Sequence, residues 1–129
     1  MADSIALVIE DDAYLSEIYS AALSKGGFTV ETARDGDTAR AKLAALVPRV
    51  VVLDLHLPRV SGKDLLREIR ADARLKPTRV IVVTGDTQAA GTVQVEADLV
   101  LIKPVSYIQL RDLATRLKND LSDAAPMQP

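Results

Sequence analysis

The chain has 129 residues, 48% hydrophobic and 26% charged, which is enough for one well-buried core and too little for two. Its formal net charge of −2 lacks the basic excess that phosphate contacts draw on, so no nucleic-acid partner is expected. Cysteine is absent, which excludes a disulfide framework, and the start "MADSIALVIEDD" carries neither a basic leader nor an apolar run of spanning length. A soluble cytoplasmic protein with no membrane partner is the expectation.

In chain order, a strand is read at 5–9 ("IALVI"), followed by a helix in which Leu15, Ile18, Tyr19, Ala22 and Leu23 recur at helical spacing until "KGGF" supplies a glycine stop. A second strand at 28–32 ("FTVET") precedes a helix around Ala39, Leu43 and Leu46. A third at 50–53 ("VVVL") precedes one around Leu65, Leu66 and Ile69. The fourth strand, 79–83 ("RVIVV"), leads into "DTQAAGTVQVEAD" at 86–98, a poor helix former. Gly91 costs about 1 kcal/mol relative to Ala in a helix interior, and Thr87, Thr92, Val93 and Val95 lose rotamer freedom there. Val93 and Val95 are spaced more for a strand-like or irregular segment than for a helical stripe, so this fourth helix is expected to be short or irregular. A fifth strand at 99–102 ("LVLI") precedes a last helix with an S-x-x-Q capping box, Ser106 and Gln109, and an inward stripe of Leu110, Leu113, Ala114, Leu117 and Leu121. One domain over 1–121 and a solvated tail over 122–129 are expected. Four of the five strand runs are nearly continuously apolar, which predicts a parallel sheet covered by helices on both faces.

In open α/β sheets the functional crevice lies outside the carboxyl ends of the strands. Here those ends are polar: Glu10, Asp11 and Asp12 after the first, Asp54 after the third, Thr84 after the fourth, Lys103 and Pro104 after the fifth. If the first and third strands are neighbours, their carboxylates converge and repel unless a hard divalent cation neutralises them, and Mg²⁺ is the economical choice. Lys103 and Thr84 would then hold phosphoryl oxygens, and Asp54 becomes a carboxylate nucleophile. Singly, each residue has an ordinary explanation: an acidic residue at a helix start is a cap, the role expected of Asp12, and a threonine at a strand end is a β-former. Their joint order at four strand ends is the signal.

That constellation resembles the receiver domain of bacterial two-component response regulators, over residues 5 to about 121. The resemblance implies a flavodoxin-like, doubly wound sheet in the order 2-1-3-4-5. It also implies Glu10 and Asp11 as the acidic pair, Asp11 the closer metal ligand, Asp54 as phospho-acceptor and the backbone carbonyl of His56 as a further Mg²⁺ ligand. Pro58 and Gly62 match the pattern after the phosphorylation site, Thr84 the switch hydroxyl, and Lys103-Pro104 a pair whose peptide bond is usually cis. The implied activity is that of a phospho-acceptor switch rather than an enzyme. It takes a phosphoryl group from a sensor histidine kinase or phosphotransfer protein, docked near Ala13, Tyr14 and Glu17, and signals by contact with a downstream protein target; no output domain is legible. Two departures bear on the switch: Val100 stands where the family usually has an aromatic residue, and the segment from Thr84 to Lys103 is roughly one helical turn short. The alternatives are cobalamin- or flavin-binding modules of similar fold. Arg59 occupies the glycine position of the D-x-H-x-x-G cobalamin signature that Asp54, Leu55 and His56 begin, and the acidic Glu10 and Asp11 would repel a flavin phosphate. A Ser-His-Asp or Cys-His hydrolase has little material, with one histidine, no cysteine and no G-x-S-x-G elbow, while a phosphatase that turns over phosphate esters at Asp54 stays as a further alternative.

Overall fold

Apolar strand runs separated by amphipathic helices produce a three-layer sandwich in the computed structural model, which describes residues 4–123, with backbone alone for 120–123. In chain order the elements are β1 (Ile5–Ile9), α1 (Ala13–Lys25), β2 (Thr29–Ala33), α2 (Gly36–Ala45), β3 (Val50–Asp54) and α3 (Gly62–Ala71). A short 3₁₀ turn (Ala73–Leu75), β4 (Arg79–Thr84), α4 (Thr87–Val93), β5 (Leu99–Ile102) and α5 (Tyr107–Asp123) follow. The strands form one parallel sheet in the order β2-β1-β3-β4-β5, which is the flavodoxin-like topology expected.

Alternation along the strands divides the core into two. Leu7, Ile9, Val51, Leu53, Val80 and Val82 point to the face covered by α2, α3 and α4, where they meet Ala39, Leu43, Leu65, Leu66 and Ile69. Ala6, Val8, Val50, Val52, Ile81 and Val83 point to the face covered by α1 and α5, against Tyr19, Ala22, Leu23, Leu110 and Ala114. Strands β1, β3 and β4 are thus buried on both sides, as their unbroken apolar runs require. The equally apolar β5 is different: like β2 it is an edge strand, and Ile102 is 44% exposed.

Helix starts are set by capping side chains. Asp12 accepts from the Leu15 N–H (2.9 Å), Asp35 from Thr38 (2.7 Å), Ser61 from Lys63 (3.1 Å) and Ser106 from Gln109 (3.0 Å). The second strand begins one residue later than its sequence pattern, because Phe28 is a buried plug ahead of the strand rather than part of it. Strands β3 and β4 each run one residue further, taking in Asp54 and Thr84. The fourth helix is short, as expected, at seven residues, but the strand-like spacing read at Val93 does not hold. Asp86 caps the helix by accepting from the Gln88 and Ala89 N–H groups, and Ala89, Ala90 and Val93 make a buried helical stripe, while Val95 lies beyond the helix, 98% exposed. At the other end of the chain α5 runs through Asp123, so residues 122 and 123 belong to the helix; the rest of the expected tail, the side chain of Leu121 and residues 1–3 lie outside the described residues.

Two glycines test how tightly the sheet end is packed. A Cβ on Gly62 would lie 2.5 Å from both the Asp54 carbonyl oxygen and the Leu55 Cα, so α3 can approach the end of β3 only with glycine there. Gly91, in contrast, faces open space. Gly62→Ala is expected to destabilise the protein by about 1–3 kcal/mol through overpacking against rigid backbone. Gly91→Ala should stabilise it by up to about 1 kcal/mol through helix propensity. Urea denaturation of the two variants checks the pair, and a change of the same sign in both would contradict it.

Candidate functional site

Because the strands are parallel and in register, their carboxyl ends deliver side chains to one place. Ile9 pairs with Leu53, which sets Glu10 beside Asp54, and Thr84 pairs with Ile102, which sets Lys103 beside them. Carboxylate oxygens of Glu10, Asp11 and Asp54 lie within 4.8 Å of one another. Glu10 and Asp54 are buried, whereas Asp11 is exposed at the mouth. The Lys103 ammonium bridges the two buried carboxylates, 3.2 Å from Glu10 Oε1 and 3.3 Å from Asp54 Oδ2. The Lys103-Pro104 peptide bond is cis.

Each remaining oxygen of the buried pair is held by backbone. Glu10 Oε2 accepts from the Asp12 N–H (3.1 Å) and Asp54 Oδ1 from the His56 N–H (3.0 Å). The second bond folds the loop after β3 back over Asp54 and keeps His56 at the site by its main chain. Its imidazole is exposed, with Nε2 3.7 Å from Asp86 Oδ2. Further along the same loop Arg59 adopts a φ of 69°, a left-handed turn uncommon for a residue with a Cβ. Thr84 is fully buried and its hydroxyl accepts from the Asp86 N–H at 3.1 Å, so it is engaged in the turn that starts α4. Asp12, as read from sequence, caps α1.

Electrostatics follow from this packing. Burial is the main reason the Glu10 carboxyl is pushed up to about 7, and the Asp54 charge adds to it; the Asp12 N–H and the Lys103 ammonium act in the opposite sense. Burial disfavours the Lys103 charge, but Asp54 and Glu10 outweigh it and raise its pKa. A carboxyl whose folded pKa lies above its ordinary value of 4.5 favours the fold while protonated, below that ordinary value. The contribution is lost as pH rises from 4.5 to about 7. Glu10→Gln should therefore flatten the loss of stability across that window in Mg²⁺-free protein and leave the variant the more stable of the two at pH 8. Thermal melts in EDTA from pH 4.5 to 8 check this; a variant less stable than wild type at pH 8 would contradict it.

One contributor was not singled out from sequence. Arg34, directly after β2, donates from Nε to the backbone carbonyl of Asp11 at 3.0 Å. An arginine two strands away carries no periodicity or motif signal, and only the β2-β1 pairing, Ala33 opposite Ile9, brings it to the mouth.

An exposed groove beside the site runs between α1 and the start of α5, lined by Tyr14, Glu17, Ile18, Ala21, Val105 and Tyr107. Val100, in place of an aromatic, is half-buried on the α4 side of the sheet.

Comparison with known proteins decides the family. The family described as the response regulator receiver domain matches residues 6–115. The chain belongs to that family. Among relatives of this receiver domain, the transcriptional regulatory protein TrcR of Mycobacterium tuberculosis is 32% identical over 95% of the chain. The DNA-binding response regulator MtrA of Mycolicibacterium paratuberculosis is 31% identical over 94%. The chain spans about half the length of these relatives, 47% and 54% respectively. Among solved structures, the chemotaxis response regulator CheY4 of Vibrio cholerae superposes with a TM-score of 0.78 at 26% identity, covering 90% of this chain and 99% of that one. A receiver domain (CheY-like) from Methylobacillus flagellatus gives 0.79 at 26% identity over 90% and 99%. Membership sets aside the cobalamin- and flavin-module alternatives. Among the described residues no helix is long and apolar enough to cross a membrane.

Proposed function

We propose that this receiver domain is a cytoplasmic phospho-acceptor switch in which Asp54 takes a phosphoryl group from the phosphohistidine of a sensor histidine kinase or phosphotransfer protein. The observation that carries the reading is the buried Asp54 at a strand end, clustered with Glu10 and Asp11 and bridged by Lys103. Its donor set fits Mg²⁺: hard oxygens only, close enough to share one ion, with Asp11 open to water. Glu10, Asp11, Asp54 and the His56 carbonyl would hold the ion, which when bound neutralises the carboxylates and the incoming phosphoryl oxygens.

An Asp54 carboxylate oxygen attacks phosphorus, and a P–O bond forms as the donor's P–N bond breaks. The imidazole leaves with the electron pair and recovers its proton from solvent. Lys103 then exchanges its bond to the Asp54 carboxylate for one to a phosphoryl oxygen. The Thr84 hydroxyl, which accepts from the Asp86 N–H, keeps its own proton to donate to another, and Asp86 is the residue that caps α4. Modification at Asp54 thus acts on the start of a seven-residue helix, too short to be stable without its cap and packing. A phosphoryl group shifts that helix only through differential affinity for two arrangements of the turn that joins Thr84 to Asp86. With Val100 there is no large ring on β5 to swing with Thr84, so the output passes through α4 and the loop preceding it to a protein partner. The groove at Tyr14 and Glu17, beside the site and open to solvent, suits the donor.

Incubation with acetyl phosphate and Mg²⁺ tests the reading by intact mass. One added phosphoryl group, lost in mild base, is expected of an acyl phosphate. No addition with Mg²⁺ present, or a base-stable product, would overturn it.

A further inference from the structure

The site as described is one positive charge short once it has reacted. Glu10, Asp11 and Asp54 bring three negative charges against the ammonium of Lys103, and a divalent cation makes the cluster neutral. Converting Asp54 to an acyl phosphate replaces a single negative charge by one of about −1.5 to −2. Before transfer the deficit is larger, since a dianionic donor adds two negative charges to the neutral cluster. Arg34 is a cation tied to this mouth: its Nε is fixed on the Asp11 carbonyl, the side chain is exposed, and that bond does not use the terminal guanidinium nitrogens. Among the described residues it has no carboxylate partner within ion-pair distance, unlike Arg40, Arg70, Arg74 and Arg111. A guanidinium remains charged at any working pH and is weakly hydrated, so a tethered one is well suited to a phosphoryl dianion.

We infer that Arg34 is a positioning residue for phosphoryl transfer, a fixed counter-charge at the mouth that draws dianionic phosphoryl donors toward Asp54 and selects them over monoanionic ones. The inference rests on Asp54 being the phospho-acceptor. Arg34 acts on donor binding and leaves the metal ligands alone, because its tether uses a main-chain carbonyl of Asp11 and spares the carboxylate.

The test compares wild type, Arg34→Gln and Arg34→Lys in the rate of Asp54 phosphorylation at saturating Mg²⁺. Acetyl phosphate serves as the dianionic donor and phosphoramidate as the monoanionic one, each at low and high salt. Arg34→Gln should raise the half-saturating acetyl phosphate concentration by about three- to ten-fold, the scale of a single screened charge, with the maximal rate within two-fold. It should change phosphoramidate much less, lose most of the salt dependence and leave Mg²⁺ affinity intact. Arg34→Lys, which keeps the charge, should recover most of the loss. Equal losses with both donors, a parallel loss of Mg²⁺ affinity or no rescue by lysine would reduce Arg34 to a structural tether and overturn the inference. So would a variant indistinguishable from wild type. If wild type itself takes up no phosphoryl group, the phospho-acceptor reading fails and this inference with it.

Discussion

Asp54→Ala is expected to abolish uptake of the phosphoryl group. The nucleophile must sit where the cation, Lys103 and an in-line donor can meet, and among the described residues no other carboxylate is so placed. Glu10 is buried under the Lys103 ammonium and holds the Asp12 N–H, while Asp11 is outermost and solvated. Loss of the carboxylate removes the bond-forming atom, so the effect is all-or-none and cannot be offset by more donor. It should also leave the fold intact, because Leu53, Val52 and Val51 supply the packing of β3. Intact-mass labelling alongside a circular dichroism melt checks both halves, and unchanged labelling of a folded variant would remove Asp54 from its assigned role.

Asp11→Asn is expected to weaken Mg²⁺ binding by at least ten-fold, whereas Asp12→Asn should change it little. The two neighbours differ by environment. Asp11 belongs to the carboxylate cluster, and Mg²⁺ gives up water only for well-placed hard oxygens, so deleting one charge removes a large share of the compensation for dehydration. Asp12 turns away to accept from Leu15 N–H, a role that asparagine performs as well. Titration calorimetry on both variants decides between them; equal weakening would show that the carboxylates act only as a diffuse negative field.

The contrast between Asp11 and Asp12 illustrates what the sequence makes legible. Helix capping by an acidic residue just ahead of the helix is local chemistry, and the residues that finish parallel strands are bound to share one end of the sheet, so Glu10, Asp11, Asp54, Thr84 and Lys103 could be collected without coordinates. What resisted was whatever depends on neighbours far along the chain. The run "LVLI" looks as buried as "VVVL", yet β5 lies at the edge with Ile102 exposed, because hydrophobicity cannot say which strand has a partner on one side only. Val93 and Val95 suggested an extended segment, but the Asp86 cap and the buried Ala89, Ala90 and Val93 outweigh weak local propensity for one short helix. Arg34 was invisible for the same reason, since its place at the mouth is a product of β2 pairing with β1.

In the proposed switch, Asp54 and the acidic cluster accept a phosphoryl group with Mg²⁺ and pass the event to α4 through Thr84 and Asp86. Titration with beryllofluoride, a mimic of the bound phosphoryl group, followed residue by residue in amide NMR spectra, tests it most directly. Saturable shifts at Asp11, Asp54, Thr84 and Lys103 that require Mg²⁺ are expected, accompanied by altered amides from Gly85 to Val93. Shifts without Mg²⁺, or a response at Asp54 with residues 85–93 unchanged, would contradict it.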